Sequence, residues 1–149
     1  MESNFTFIEP GPLTDGDLEL ALVGQTRSYP SDVPVYNFEM RHPGSTVSMG
    51  RISLRIGNIE YILLYAGHIG YRVFPEYRGN HYAARSCHLL LPLARHHGLD
   101  PVWITCNPDN IASIRTCEIL GATYTETVDL PQDIDMYTCG ERQKCRYWI

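Results

Sequence analysis

The segment Tyr71-Arg-Val-Phe-Pro-Glu-Tyr-Arg-Gly-Asn-His-Tyr-Ala83 constrains this chain more than any other. An apolar strand stops at Pro75, an Arg78-Gly79 turn follows, and a helix starts at once. The first turn of a helix carries backbone N–H groups without intrahelical partners and a partial positive charge, so it suits an anion. A glycine beside it lets that anion approach the main chain closely. A second segment, Asn107-Pro-Asp-Asn-Ile-Ala-Ser113, follows another strand-like run, and its Asn110 lies 31 residues beyond Gly79. In this order the two segments point to a ligand that carries a diphosphate.

A chain of 149 residues reads as a single domain, 1–149, long enough to bury roughly two thirds of its unfolded surface. With 44% hydrophobic and 19% charged residues it is no disordered segment. A net charge of −5 without any Lys/Arg cluster argues against nucleic acid as a partner. Lys144 is the single lysine, so the other cations are arginines. The five cysteines are scattered without a Cys-x-x-Cys pair, which argues against a metal site and suggests reduced thiols in the cytoplasm. The start, Met-Glu-Ser-Asn-Phe-Thr, lacks the basic and apolar regions of a signal peptide. The apolar stretch around residues 89–91 is far too short to cross a bilayer. A soluble protein with no membrane partner is expected.

Phe5, Phe7 and Ile8 suggest an opening strand. Thr14, Asp15, Asp17 and Glu19 resemble a helix start, with Leu18, Ala21 and Leu22 as an apolar stripe, and residues 24–34 read as a loop. Three strand-like runs follow: 36–41, then 47–56 with its alternation switching near Gly50-Arg51, then 61–73. Gly67 and Gly70 in the third run mark a bulge or a place where something lies against the backbone. Residues 80–97 are helical and should kink at Pro92, and Gly98 ends them. Residues 102–106 form a strand, 110–120 a helix closed by Gly121, and 123–128 and 142–149 two last strands. The order β-α-β-β-β-α-β-α-β-β is an α/β domain whose first half is mostly antiparallel; only the strand–helix–strand unit between residues 61 and 106 requires a parallel pair.

At these residues the chain resembles the GNAT superfamily of N-acetyltransferases over essentially its whole length. The superfamily signature Gln/Arg-x-x-Gly-x-Gly/Ala falls on Glu76-Tyr-Arg-Gly79-Asn-His81, and its Asn-x-x-Ser/Ala on Asn110-Ile-Ala-Ser113. Glu76 stands where Gln or Arg is preferred, and His81 where a small residue is preferred. The resemblance implies the acyl-CoA N-acyltransferase fold: a central, mixed, mostly antiparallel sheet with a splayed parallel strand pair and flanking helices. It also implies acetyl-CoA as acyl donor, its pantetheine arm lying between strands 61–73 and 102–106. Backbone groups of Tyr71, Arg72 and Val73 would pair with that arm. The main chain of Arg78, Gly79, Asn80, His81, Tyr82, Ala83 and Ala84 would hold the diphosphate, and Asn110 and Ser113 would face the arm, with Asn110 also capping its helix.

The acceptor implied is an amine, on a small molecule or a peptide, which attacks the thioester directly in a ternary complex. A homodimer is left open. The proton donor to the departing thiolate is a tyrosine in many members; its position here is Cys117, either that acid or a small buried packing residue. Tyr137 is the alternative acid. His68 is a candidate base, set against a buried ring bonded to backbone, and Glu39 a second, set against a solvated charge. Specificity in the family comes from segments that match residues 25–35 and 131–141. Tyr29 and Tyr36 suggest an aromatic-edged pocket, and Asp129, Asp133 and Asp135 would favour a cationic acceptor. A cofactor-binding module without turnover is the competing function, because the tyrosine is missing and the motif is altered.

Overall fold

The computed structural model describes residues 5–149. The start of the chain, on which the signal-peptide expectation partly rests, lies outside them. The elements are β1 (Thr14–Asp15), β2 (Leu18–Ser28), β3 (Val33–Arg41), β4 (Gly50–Arg55), β5 (Ile69–Val73), α1 (Tyr82–His96), β6 (Trp103–Cys106), α2 (Ile111–Leu120), β7 (Thr123–Asp129), α3 (Asp135–Thr138) and β8 (Gln143–Trp148). They form two antiparallel sheets, one in the order β1-β2-β3-β4-β5 and one in the order β6-β8-β7. The fold is the expected α/β class, with mostly antiparallel strands and helices packed on them. Leu18, Phe38, Ile52 and Leu54 of the larger sheet share a core with Cys87, Leu90 and Ala94 of α1 and with Ile104 of β6. Each large apolar side chain buried in this way contributes about 1.5–3 kcal/mol.

Three expected elements differ. Residues 14–22 form a hairpin, not a helix: Asp15 pairs with Leu18 across a two-residue turn in which Gly16 has φ +58°. Leu18 and Leu20 point inward while Glu19 and Ala21 are less buried, a period of two hidden beneath the apparent helical stripe. Pairing with β3 along the whole strand settles the matter, with one bulge between Leu22 and Gly24. Much of the loop expected at 24–34 is the rest of this β2–β3 hairpin, and residues 5–13 form no strand. The parallel pair is not a ladder, because β5 and β6 lie in different sheets.

The run 61–73 is not one strand. Tyr61–Ala66 is a wide helical turn closed by a bond from Gly67 N to Ile62 O at 2.8 Å, and only Ile69–Val73 is extended. Leu63, Leu64 and Ala66, good helix formers, make up half of the turn. Side chains from three strands satisfy its late carbonyls: Arg146 donates to Leu63 O at 2.8 and 3.1 Å, Thr105 to Tyr65 O at 2.7 Å, and Arg55 to Ala66 O at 3.2 Å and Gly67 O at 3.1 Å. Elsewhere the boundaries are close to expectation. The alternation switch lies at the first residue of β4, and α1 continues across an exposed Pro92.

Candidate active site

The site begins where β5 and β6 part. His68 N donates to Trp103 O at 2.7 Å, and Trp103 N donates to the His68 ring at Nδ1 at 2.8 Å. Gly67 sits against the same strand: a Cβ there would lie 3.0 Å from Trp103 O and 3.1 Å from Thr105 N. Beyond this pin β5 follows β4. Phe74 N bonds Met49 O at 2.9 Å and Arg55 N bonds His68 O at 2.7 Å. With the paired register, these bonds turn the N–H and C=O of Gly70 and Arg72 toward β4. The backbone groups of Ile69, Tyr71 and Val73 therefore face the gap. Of the three residues expected to pair with a bound arm, Tyr71 has both backbone groups on the open edge and Val73 its N–H, since Val73 O accepts from Arg78, whereas Arg72 faces β4.

His68 is fully buried, and both its nitrogens are engaged. Since Nδ1 accepts a hydrogen bond, Nε2 carries the proton and donates to Asn58 Oδ1 at 2.9 Å and Gly57 O at 3.1 Å. Burial lowers its pKa to about 4, the carbonyl of Gly57 opposing and Arg55 assisting. A neutral, enclosed ring outside the cleft is no base for an incoming amine. His68 is a structural link between the sheets, which fits the alternative of a buried ring bonded to backbone and not the base.

At the far end of β5 a groove of about 450 Å³ opens over the start of α1. Gly79 has φ +96° and His81 φ +59°, and no side chain caps the helix. The first helical bond, Arg85 N to His81 O at 3.0 Å, leaves the N–H groups of Tyr82, Ala83 and Ala84 without intrahelical partners. The groove is lined by Arg72, Arg78, His81 and Arg115, with no carboxylate among its lining residues. Arg78 also donates from Nε to Val73 O at 3.0 Å. Glu76, the motif departure, does not line it. Nor do Asn80, whose amide donates to Tyr77 O at 3.2 Å, or the buried Ala84. His81 explains the small residue at this motif position, because its left-handed backbone costs a side chain about 1–2 kcal/mol.

A second cleft, about 520 Å³, lies between β5 and β6 on the other side. Tyr71, Asn110 and Ser113 line both. Asn110 caps α2, its Oδ1 accepting from Ser113 N at 3.1 Å. Tyr71 Oη lies 2.5 Å from Ser113 Oγ, and burial raises the phenol's pKa. The hydroxyl thus stays protonated where the two clefts meet. Cys117 does not reach either cleft: it is wholly buried, and its thiol, bonded to Cys106 and cut off from water, is pushed well above the ordinary value. Tyr137 packs its ring under the Arg142 guanidinium, 3.8 Å away, and does not line the cleft. Neither candidate acid lines a cleft, and Cys117 fits its alternative reading as a small buried packing residue. Glu39 pairs with Arg41 along β3.

Of the aspartates, Asp135 alone lines this cleft, accepting from Tyr61 Oη at 2.8 Å; Asp129 accepts from Gln143 at 3.0 Å. Tyr29 stands edge-on to Tyr61 on the same wall, whereas Tyr36 is core, bonded to His97 at 2.7 Å. Sequence reasoning missed Arg55, Tyr61, Asn107 and Arg115. Gly70 was the available signal for Arg55, because a Cβ there would lie 2.8 Å from its Nη2.

The family model for the acetyltransferase (GNAT) domain matches residues 3–123. The chain belongs to the GNAT acetyltransferase family. This is a family of acyltransferases whose acyl donor is acetyl-CoA. Among solved structures, a putative acetyltransferase is similar over 97% of this chain and 88% of its own, at TM-score 0.68 and 15% identity. A putative ribosomal-protein-serine acetyltransferase from Vibrio cholerae is similar over 95% of this chain and 99% of its own, at TM-score 0.66 and 12% identity. The microcin C7 self-immunity acetyltransferase MccE, solved with acetyl-CoA and AMP, shares 17% identity over 77% of this chain, at TM-score 0.58. The chain spans 60% of that structure's length. Among curated proteins, none matches this chain.

Proposed function

We propose that this chain transfers the acetyl group of acetyl-CoA to a primary amine by direct attack within a ternary complex. The observation that carries this is the pair of clefts meeting at Tyr71, Asn110 and Ser113, one cationic over an uncapped helix start and the other open to an acceptor. The cofactor supplies a thioester whose carbonyl becomes more negative as the amine attacks. The residues fit it. The main chain of Gly79 and of His81 through Ala83, with the guanidinium groups of Arg72, Arg78 and Arg115, would hold the phosphates. The cleft-facing backbone groups of Tyr71 and the N–H of Val73 would pair with the arm, and a backbone N–H there would polarise the thioester carbonyl. Tyr71 Oη, hydrogen-bonded to Ser113 Oγ at the junction, would supply the proton to the departing thiolate. The attacking amine must be neutral, and Asp135 and Glu141 are the cleft carboxylates to which its proton can pass.

A binding module without turnover is the second reading, and the burial of Cys117 favours it. Thiol release from acetyl-CoA, followed across amines, amino acids and peptides, separates the two. Release that needs an acceptor supports transfer; coenzyme A binding without release on any acceptor supports the module. No helix among the described residues is long and apolar enough to cross a membrane, and the five unbridged cysteines suit a reducing compartment such as the cytoplasm.

A further inference from the structure

Arg55 is a cation in the acceptor cleft with no anion of its own. It projects from β4 under the splayed strands, and its Nη1 is spent on the carbonyls of Ala66 and Gly67. Its Nη2 lies against Gly70, where even a methyl group would collide with it. Among the described residues no carboxylate forms an ion pair with it. The other charges of the cleft are occupied. Lys144 holds Glu141 at 2.6 Å, and Asp135 accepts from Tyr61 Oη and from Met136 N at 2.9 Å. A largely desolvated guanidinium without a counter-charge is costly in a folded protein, and a ligand's anion removes that cost. Burial acts on Arg55 in the expected direction, drawing its pKa down from the ordinary value, though an arginine keeps its charge.

A second group lining the same cleft is unsatisfied. Asn107 Oδ1 is buried with no hydrogen-bond partner. It is an acceptor only, so it suits an N–H. We infer that the acceptor is an amino carboxylate of the amino-acid class, its carboxylate held by Arg55 and its amine directed by Asn107 Oδ1 toward the junction at Tyr71. This rests on the transferase reading of the same cleft. The Tyr29–Tyr61 pair makes aromatic amino acids the first members to try. It also reverses the expectation of a purely cationic acceptor, since the cleft's four charges, Arg55, Lys144, Asp135 and Glu141, cancel.

The test compares phenylalanine with phenylalanine amide on the full chain, at equal concentrations of neutral amine, by thiol release from acetyl-CoA. The carboxylate form is expected to have a KM about ten- to a hundredfold lower, as suits a charge-assisted bond. Arg55→Gln should bring the two within about twofold, and Arg55→Lys should keep part of the difference. Acetyl-CoA binding, measured by calorimetry, should hold in both variants. Because Arg55 also supports the helical turn, Arg55→Gln is judged only where its circular dichroism and melting match wild type; the wild-type pair decides without it. Equal KM values, or preference for the amide, overturn the inference and leave transfer intact. If neither compound reacts, melting shifts of the protein with each compound decide: a shift by the carboxylate alone supports the inference, and none overturns it. Failure of acetyl-CoA to bind counts against the transferase instead, and the same melting shifts still judge Arg55.

Discussion

Replacing Gly67 by alanine tests whether the parting of β5 and β6 is set by backbone contact. Gly67 has φ 73° and ψ 166°, a region open almost only to glycine, and a side chain there costs about 1–3 kcal/mol. The added Cβ would also lie 3.0–3.3 Å from three backbone atoms of residues 103–105. Backbone cannot rotate away as a side chain can, so forcing the strands apart adds about 1–3 kcal/mol. The sum, about 2–6 kcal/mol, should lower Tm by roughly 6–18 °C in a domain of this size. Gly98→Ala is the control. Its φ is +81° with nothing within 4 Å, so only the conformational cost of about 1–2 kcal/mol applies, or roughly 3–6 °C. Thermal melts of the two variants, with calorimetry of acetyl-CoA binding below both transitions, separate the terms. Gly67→Ala should be the less stable and should bind acetyl-CoA more weakly. A Gly67→Ala melt no lower than that of Gly98→Ala would refute the contact argument.

Tyr71→Phe should lower kcat by about a hundredfold while acetyl-CoA affinity stays within a few-fold, because it removes the proton and leaves the strand edge; unchanged kcat in steady-state assays would rule the phenol out as the acid. His68 has a folded pKa near 4 against 6.5 unfolded, so its contribution to stability is present above pH 6.5 and is lost as pH falls through 4. Denaturant unfolding should show about 3 kcal/mol of that loss in wild type, and a His68→Gln variant that kept the same slope would contradict it. His81→Gly should raise Tm by about 2 °C, since relief of the left-handed backbone slightly exceeds the freedom glycine adds to the unfolded chain. A fall in Tm would mean that the His81 ring holds a contact worth more than the strain.

The Pro75–Gly79 turn, the helix after it and the Asn110 cap were legible because their signals are local. A proline, a glycine at positive φ and a side chain bonding three residues ahead act within one turn of chain. Residues 14–22 were misread for the opposite reason: Leu18, Ala21 and Leu22 satisfy a helical period while Leu18, Leu20 and Leu22 satisfy a strand period, and the choice was made by pairing with β3, distant in sequence. His68, Cys117 and Tyr137 had the right chemistry for catalysis in the wrong places. Whether a histidine faces a cleft or bridges two sheets depends on where Trp103 and Asn58 lie, and no spacing encodes that.

By itself, then, the sequence determined the turn before α1 and the order of most elements, because these follow from backbone freedom and from apolar periodicity over short stretches. Only the tertiary structure decided which side chains share the cleft. Arg55, Tyr71 and the Asn107–Ser113 segment come from three separate stretches of chain, and their joint chemistry exists once the two sheets part at Gly67 and leave one strand edge unpaired.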